Sequence, residues 1–318
     1  MLQQISSQSE ISQFAYGFRR TGQKEKNILV PRECFESETI VMFNDQLLSK
    51  AQYVALEELC LQYNSSPEMM FAKPDTLEIE NGLVTAIKTT WAITHTSDKK
   101  LSIPKNIKYL RKLECVFNEL EQIAGLPAQL QDFDCSHNQL CELPDLPYQL
   151  YSLDCACNDL SVLPELPAKL EYLSCLKNKL CNLPVLPAKL QNLFCHTNKL
   201  CGLPELPARL QNLICGENKL AALPELPAQL QILNCKNNEL SALPKLPPQL
   251  NTFYCDTNQL LSLPDLPARL QNLYCANNYA LHLSISDDQI KQLAIFEYYK
   301  ISNEEAITQQ YARVRGGK

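Results

Sequence analysis

Four side chains in one stretch carry the parts of a nucleophilic site: Asp134, His137, Asp154 and Cys157. A thiol becomes a useful nucleophile when an imidazole takes its proton and a carboxylate orients that imidazole. His137 and Cys157 hold the same place in consecutive 20-residue units. Stacked units would therefore bring their Cβ atoms to ~5 Å. The cysteines suggest two further chemistries, since the chain has 15 of them. Nine recur in strict phase, as Cys115, Cys135, Cys155, Cys175, Cys195, Cys215, Cys235, Cys255 and Cys275. Such a column invites comparison with a metal array, a disulfide ladder and a plain apolar core.

The spacing that unites these residues belongs to the whole middle of the chain. Leu130, Leu150, Leu170, Leu190, Leu210, Leu230, Leu250 and Leu270 open eight units of 20 residues. Leu110 opens a ninth, looser unit and Val84 a tenth. A short fixed period predicts a solenoid in which each unit touches mainly its neighbours. Solenoids present long open surfaces suited to macromolecular partners. An open rod provides neither a pocket that excludes water nor an oxyanion hole, which weighs against catalysis by His137 and Cys157.

Each unit begins Leu-x-x-Leu-x-Cys, whose alternation fits a half-buried strand. Strands in one phase stack in parallel, ~4.8 Å apart, so ten would make a sheet roughly 45 Å long. The ninth position is Asn without exception from Asn118 to Asn278. Backbone leaving a sheet needs hydrogen-bond partners, and a buried Asn amide supplies two donors and an acceptor. The return arm is Leu-Pro-x-Leu-Pro, as in Leu203-Pro204-Glu205-Leu206-Pro207. Prolines three apart fix φ and disfavour helix before them, so the convex side is expected to be extended or polyproline-II-like.

The sixth-position cysteines stand where the pattern requires an inward apolar side chain, and free Cys behaves as a small hydrophobe. A single file of thiols cannot surround an ion tetrahedrally. Disulfides between adjacent turns are sterically conceivable, but so many free thiols suit a reducing compartment. Cys181 and Cys201, one unit apart, are the pair expected to cross-link in air. No metal and no cofactor is expected.

The Leu-Pro-x-Leu-Pro arms and the following Leu-x-x-Leu-x-Cys-x-x-Asn-x-Leu resemble the LPX-type leucine-rich repeats of effectors that Gram-negative pathogens deliver into host cells. These are the YopM-like and IpaH-like proteins. The resemblance covers roughly residues 110 to 280 and departs in placing Cys where Val or Leu is more usual. It implies a leucine-rich-repeat solenoid with strands on the concave face and α-helical caps. It also implies a protein-interaction scaffold for a host protein, secreted by a type III or type IV system into the host cytosol. IpaH-like relatives carry a C-terminal ubiquitin ligase with a catalytic Cys-x-Asp. The one match here, Cys157-Asn158-Asp159, uses an Asn of the repeat. About 38 residues follow Ala280. The resemblance therefore implies a ligase-free, YopM-like scaffold.

The ends are expected to seal the solenoid, because an open end exposes core and unpaired edge. Residues 1–43 read as a flexible leader, although Phe14, Tyr16 and Phe18 could dock, and 44–82 as an N-terminal cap. In that cap Asn44-Asp45 is expected to start a helix running to about Tyr63, with Leu48, Ala51, Ala55 and Leu59 on one face. The stretch Leu77 to Ile87 is expected to form a hairpin around Asn81-Gly82. Residues 83–280 are the repeats. Residues 281–318 read as a C-terminal cap, with helices from Ser286 to Tyr299 and from Asn303 to near Arg313, and a tail. The net charge of −6 gives no nucleic-acid footprint. No apolar run is long enough to span a bilayer, and the N-terminus lacks the basic start and apolar centre of a classical signal peptide.

Function is then expected in the side chains that leave the sheet outward, at the third, fifth, seventh and eighth positions. The fifth column is polarised. It begins acidic, with Asp134 and Asp154 beside Asp132 of the third column. It continues with Phe194, Ile214, Tyr254 and Tyr274, next to Tyr172 and Ile232. Large apolar residues clustered where folding does not need them are the expected partner-binding patch. Sheet propensity alone would also favour Phe, Ile and Tyr on strands. An adaptor with a second site on the acidic patch or the C-terminal helices is the alternative.

Overall fold

The computed structural model describes residues 4–5, 40–44, 46–62, 65–71, 76–80, 83–90 and 99–278. The two expected C-terminal helices, and Phe14, Tyr16 and Phe18, lie outside the described residues.

The repeats form a parallel-strand solenoid. The strands are β5 (Leu83–Thr90), β7 (Lys112–Val116), β9 (Asp132–Asp134), β10 (Ser152–Asp154), β11 (Tyr172–Ser174), β12 (Asn192–Phe194), β13 (Asn212–Ile214), β14 (Ile232–Asn234), β15 (Thr252–Tyr254) and β16 (Asn272–Tyr274). They pair in that order, parallel and in register, so that each residue faces its equivalent one turn away. Ala86 pairs with Lys112, which places Val84 in phase with Leu110 as the opening residue of a tenth turn.

Burial explains the period. In the unit from Leu210, the side chains of Leu210, Leu213, Cys215 and Leu220 are fully buried, and the other units repeat the pattern. Burying one such leucine stabilises by about 1.5–3 kcal/mol, so each turn adds its own layer of core. The nine sixth-position cysteines all lie in this core. Burial pushes the Cys175 and Cys215 thiols up to about 12, and they stay protonated and apolar.

The Asn column joins the turns. Asn198 Nδ2 donates to Cys175 O of the preceding turn and to Cys195 O of its own, at 3.0 and 3.2 Å. Its Oδ1 accepts from Leu180 N at 3.0 Å. The same bonds recur at Asn138, Asn158, Asn178, Asn218, Asn238, Asn258 and Asn278. Just before each Asn the backbone turns left-handed, from Phe117 (φ 58°) to Asn277 (φ 56°). None of these residues is Gly, so the sequence carries no obvious mark of the turn.

The convex arm is extended without helix from Leu140 onward, and each arm closes with a turn such as Leu210 N to Pro207 O, 3.0 Å. The first arm differs. Ala124 stands where later units have proline, its N–H is free to pair, and β8 (Gln122–Ala124) lies parallel to β6 (Lys100–Ser102).

The N-terminal side corrects one expectation. Asn44-Asp45 does not start the helix. β2 (Ile40–Phe43) and β3 (Gln46–Ser49) pair antiparallel with Phe43 facing Gln46, and Asn44 is left-handed at φ 48°. The helix α1 begins after it, at Lys50–Leu61, capped by the Ser49 hydroxyl, which accepts from Gln52 N. Asn and Asp serve hairpin turns as readily as helix caps, and here the turn prevails. Leu48 is buried from β3 rather than from the helix. β2 falls within the segment expected as leader, and it also pairs with β1 (Gln4–Ile5). The 77–87 hairpin is present: β4 (Leu77–Glu80) runs antiparallel to β5 and covers the first edge of the long sheet. Gln52 ties α1 to the first turn, accepting from Val84 N at 3.2 Å and donating to Asn106 O.

Candidate protein-interaction face

Three-residue strands position the candidate residues. The middle residue of each points into the core, and the two flanking residues, at the third and fifth positions, face outward. In-register pairing turns each position into a ladder with rungs ~4.8 Å apart. Phe194 therefore lies beside Ser174 and Ile214, and Tyr172 beside Ser152 and Asn192.

The aromatic residues fall into two groups. The rings of Tyr172 and Phe194 pack diagonally, centroids 5.5 Å apart and tilted by 42°, with Ile214 on the next rung. Tyr254 and Tyr274 stack face to face at 4.4 Å and 7°. Asn234 interrupts the fifth ladder between them, and Ile232 lies in the third ladder beside Asn212 and Thr252. These side chains are half-buried rather than fully exposed. Polar rungs between them bond across turns, as Asn212 Nδ2 does to Asn192 Oδ1 at 2.6 Å.

The acidic end divides as well. Glu114 is gripped by Lys112 at 2.7 Å and Lys88 at 3.0 Å. Burial pushes its carboxyl up, but the two lysines prevail and hold it below its ordinary value. Asp132 lies 3.7 Å from Lys112. Asp134 and Asp154, adjacent rungs of the fifth ladder, have no Lys or Arg ion pair among the described residues. Each turns one oxygen back to the backbone, Asp134 to Ser136 N at 2.9 Å and Asp154 to Ala156 N at 3.0 Å. Burial raises the Asp154 carboxyl above its ordinary value; the Ala156 bond opposes this and the Asp134 charge adds to it.

His137 and Cys157 stand at the same position in adjacent turns of the repeat. The His137 ring stacks on Phe117 at 4.2 Å, and burial pushes the Cys157 thiol up despite the nearby Lys177. Both belong to the left-handed column, with φ 56° and 53°. Among the described residues no three His, Cys, Asp or Glu side chains are grouped to hold a metal ion. Cys181 and Cys201 are exposed, as is Cys141 on the same ridge. Phe117 was not singled out from the sequence. Its phase as the eighth residue of the Leu110 unit was the available signal.

No protein-family model matches the chain, and no curated protein does. The solenoid is similar to solved structures of leucine-rich-repeat proteins. YopM from Yersinia enterocolitica aligns at 33% identity and a TM-score of 0.52, over 62% of this chain and 47% of that one. YopM from Yersinia pestis, described as a leucine-rich effector protein, aligns at 34% identity and a TM-score of 0.50, over 56% of this chain and 49% of that one. The chain thus spans about half the length of these two relatives. The leucine-rich-repeat ectodomain of a plant membrane receptor kinase from Arabidopsis thaliana, at 20% identity and a TM-score of 0.50, shares the fold alone. Parallel strands, an Asn ladder and a leucine core make this protein a leucine-rich-repeat solenoid, similar in fold to the two YopM structures.

Proposed function

We propose that this chain is a non-enzymatic scaffold whose concave, strand-lined face seats a partner protein. The observation that carries this reading is the contiguous patch of Tyr172, Phe194 and Ile214, at positions where the fold requires no apolar side chain. Aromatic anchors on a rigid scaffold give large contact area at modest entropic cost. Ile232 and the stacked Tyr254 and Tyr274 extend the surface toward the C-terminal end. Likeness to the two YopM structures supports the finer reading. The partner is a host protein, and the chain acts as a secreted bacterial effector reaching the host cytosol by a type III or type IV system. No helix among the described residues is long and apolar enough to cross a membrane.

The test is capture from host lysate by the full chain and by a Phe194→Ala/Ile214→Ala variant, followed by identification of bound proteins. A partner held by the first and lost by the second supports the reading. Equal capture by both would place binding elsewhere.

A further inference from the structure

Asp134 and Asp154 bear on what the apolar patch can accept. Asp154 occupies the rung beside Ser174, and Phe194 the rung after that, so acid and ring lie about 10 Å apart along the fifth ladder. Tyr172 sits between them in the third ladder and packs against Phe194. A partner that covers Tyr172 and Phe194 must also cover Asp154. The carboxylate is already half withdrawn from water; a backbone N–H and the Ser174 hydroxyl bond to it, and among the described residues the only cationic group that bears on it is the His137 imidazole, not a lysine or arginine. Withdrawing it further without an opposing charge is costly. The lysines of the third and fifth ladders, Lys112 and Lys88, are committed to Glu114 and Asp132.

From this charge pattern we infer that the concave face seats a segment bearing a Lys or Arg side chain beside a bulky apolar one, the cation on Asp134/Asp154 and the apolar group on Tyr172, Phe194 and Ile214. The separation of about 10 Å corresponds to two to four residues of extended chain. The inference rests on the concave-face reading above and adds the chemistry of the partner to it. A guanidinium suits the site best, because its planar fork can bridge two neighbouring carboxylates.

Random peptides displayed on phage and selected against the full chain test this. Enriched peptides are expected to carry Lys or Arg within four residues of an aromatic or large aliphatic residue. Synthetic copies are expected to bind about tenfold or more weakly to Phe194→Ala and to Asp134→Asn/Asp154→Asn. They are expected to bind unchanged to Glu205→Gln/Glu225→Gln, which removes the same charge from the exposed convex arm. Peptides that need Phe194 but ignore the aspartates would overturn the inference and leave the concave-face reading standing. Equal weakening by the convex variant would reduce the acid effect to net charge and overturn the inference likewise. If no enriched peptide needs Phe194, both fail. Circular dichroism of each variant confirms that the solenoid is intact.

Discussion

Asn198 reaches from its own turn to the carbonyl of Cys175 in the turn before, 3.0 Å away. Its Oδ1 also accepts the N–H of Leu180, a residue with no exposed surface. Replacement by alanine leaves that N–H unsatisfied in the core. Asn198→Ala is therefore expected to cost on the order of 1–3 kcal/mol. Lys199→Ala, next to it but exposed, is expected to stay within about 0.5 kcal/mol of the parent. Urea melts of the two variants make the comparison, and equal midpoints would remove the Asn ladder as the tie between turns.

Cys215 is a core residue with a thiol pushed up to about 12 by burial. Cys215→Val fills the same slot with an apolar group of similar size and is expected to fold and bind as the parent does. Cys215→Asp buries an unpaired carboxylate and is expected to prevent folding of its turn. Far-ultraviolet circular dichroism and elemental analysis check both. Loss of a bound metal from the Val variant would overturn the core reading of the thiol.

Much of this was open to a reader of the sequence. The Leu, Cys and Asn columns follow from the 20-residue phase, because each occupies a position whose burial the repeat dictates. The left-handed residue before each Asn was not legible. Phe117, Lys177 and Glu217 have no special tolerance for positive φ, yet each takes it beside the bonded Asn. The helix start was misplaced because Asn44-Asp45 suits both a turn and a cap, and only the pairing of Phe43 with Gln46 decides. For the candidate face, phase places Phe194 beside Ile214. Which lysine neutralises which acid depends on side-chain reach, so the bare Asp134/Asp154 pair needed coordinates.

Thr257 is a β-branched residue held at φ 54°, where L-residues other than Asn and Asp are strained. Asn237 and Asn277 occupy the same place in the adjacent turns at φ 52° and 56°. Thr257→Asn is expected to recover part of the roughly 1–2 kcal/mol left-handed penalty and raise the midpoint of thermal unfolding. A lower midpoint would mean that the Asn277 contact to the Thr257 hydroxyl, at 3.4 Å, outweighs the strain.

Burial raises the Asp154 carboxyl in the folded chain, so the fold holds this proton to higher pH than the unfolded chain does. Between the ordinary value of ~3.9 and the raised one, the native state binds more protons, and stability falls as pH rises. Asp154→Asn removes that dependence. It can keep the backbone bond, since Asn234 makes the equivalent one to Lys236 N at 3.3 Å. The variant is expected to be more stable than the parent at neutral pH, with the difference fading below the ordinary value. Denaturant melts at several pH values check this, and a parent more stable at neutral pH would show the carboxylate to be favourably placed.

The most direct test of the account is the affinity of one partner, first captured by the parent chain, for three forms of the protein. Phe194→Ala/Tyr254→Ala is expected to keep its circular dichroism and lose binding, each true anchor being worth about 2 kcal/mol or more. Cys157→Ala is expected to bind as the parent does. Full binding by the aromatic variant together with loss in Cys157→Ala would contradict the scaffold reading and point instead to a thiol-dependent site.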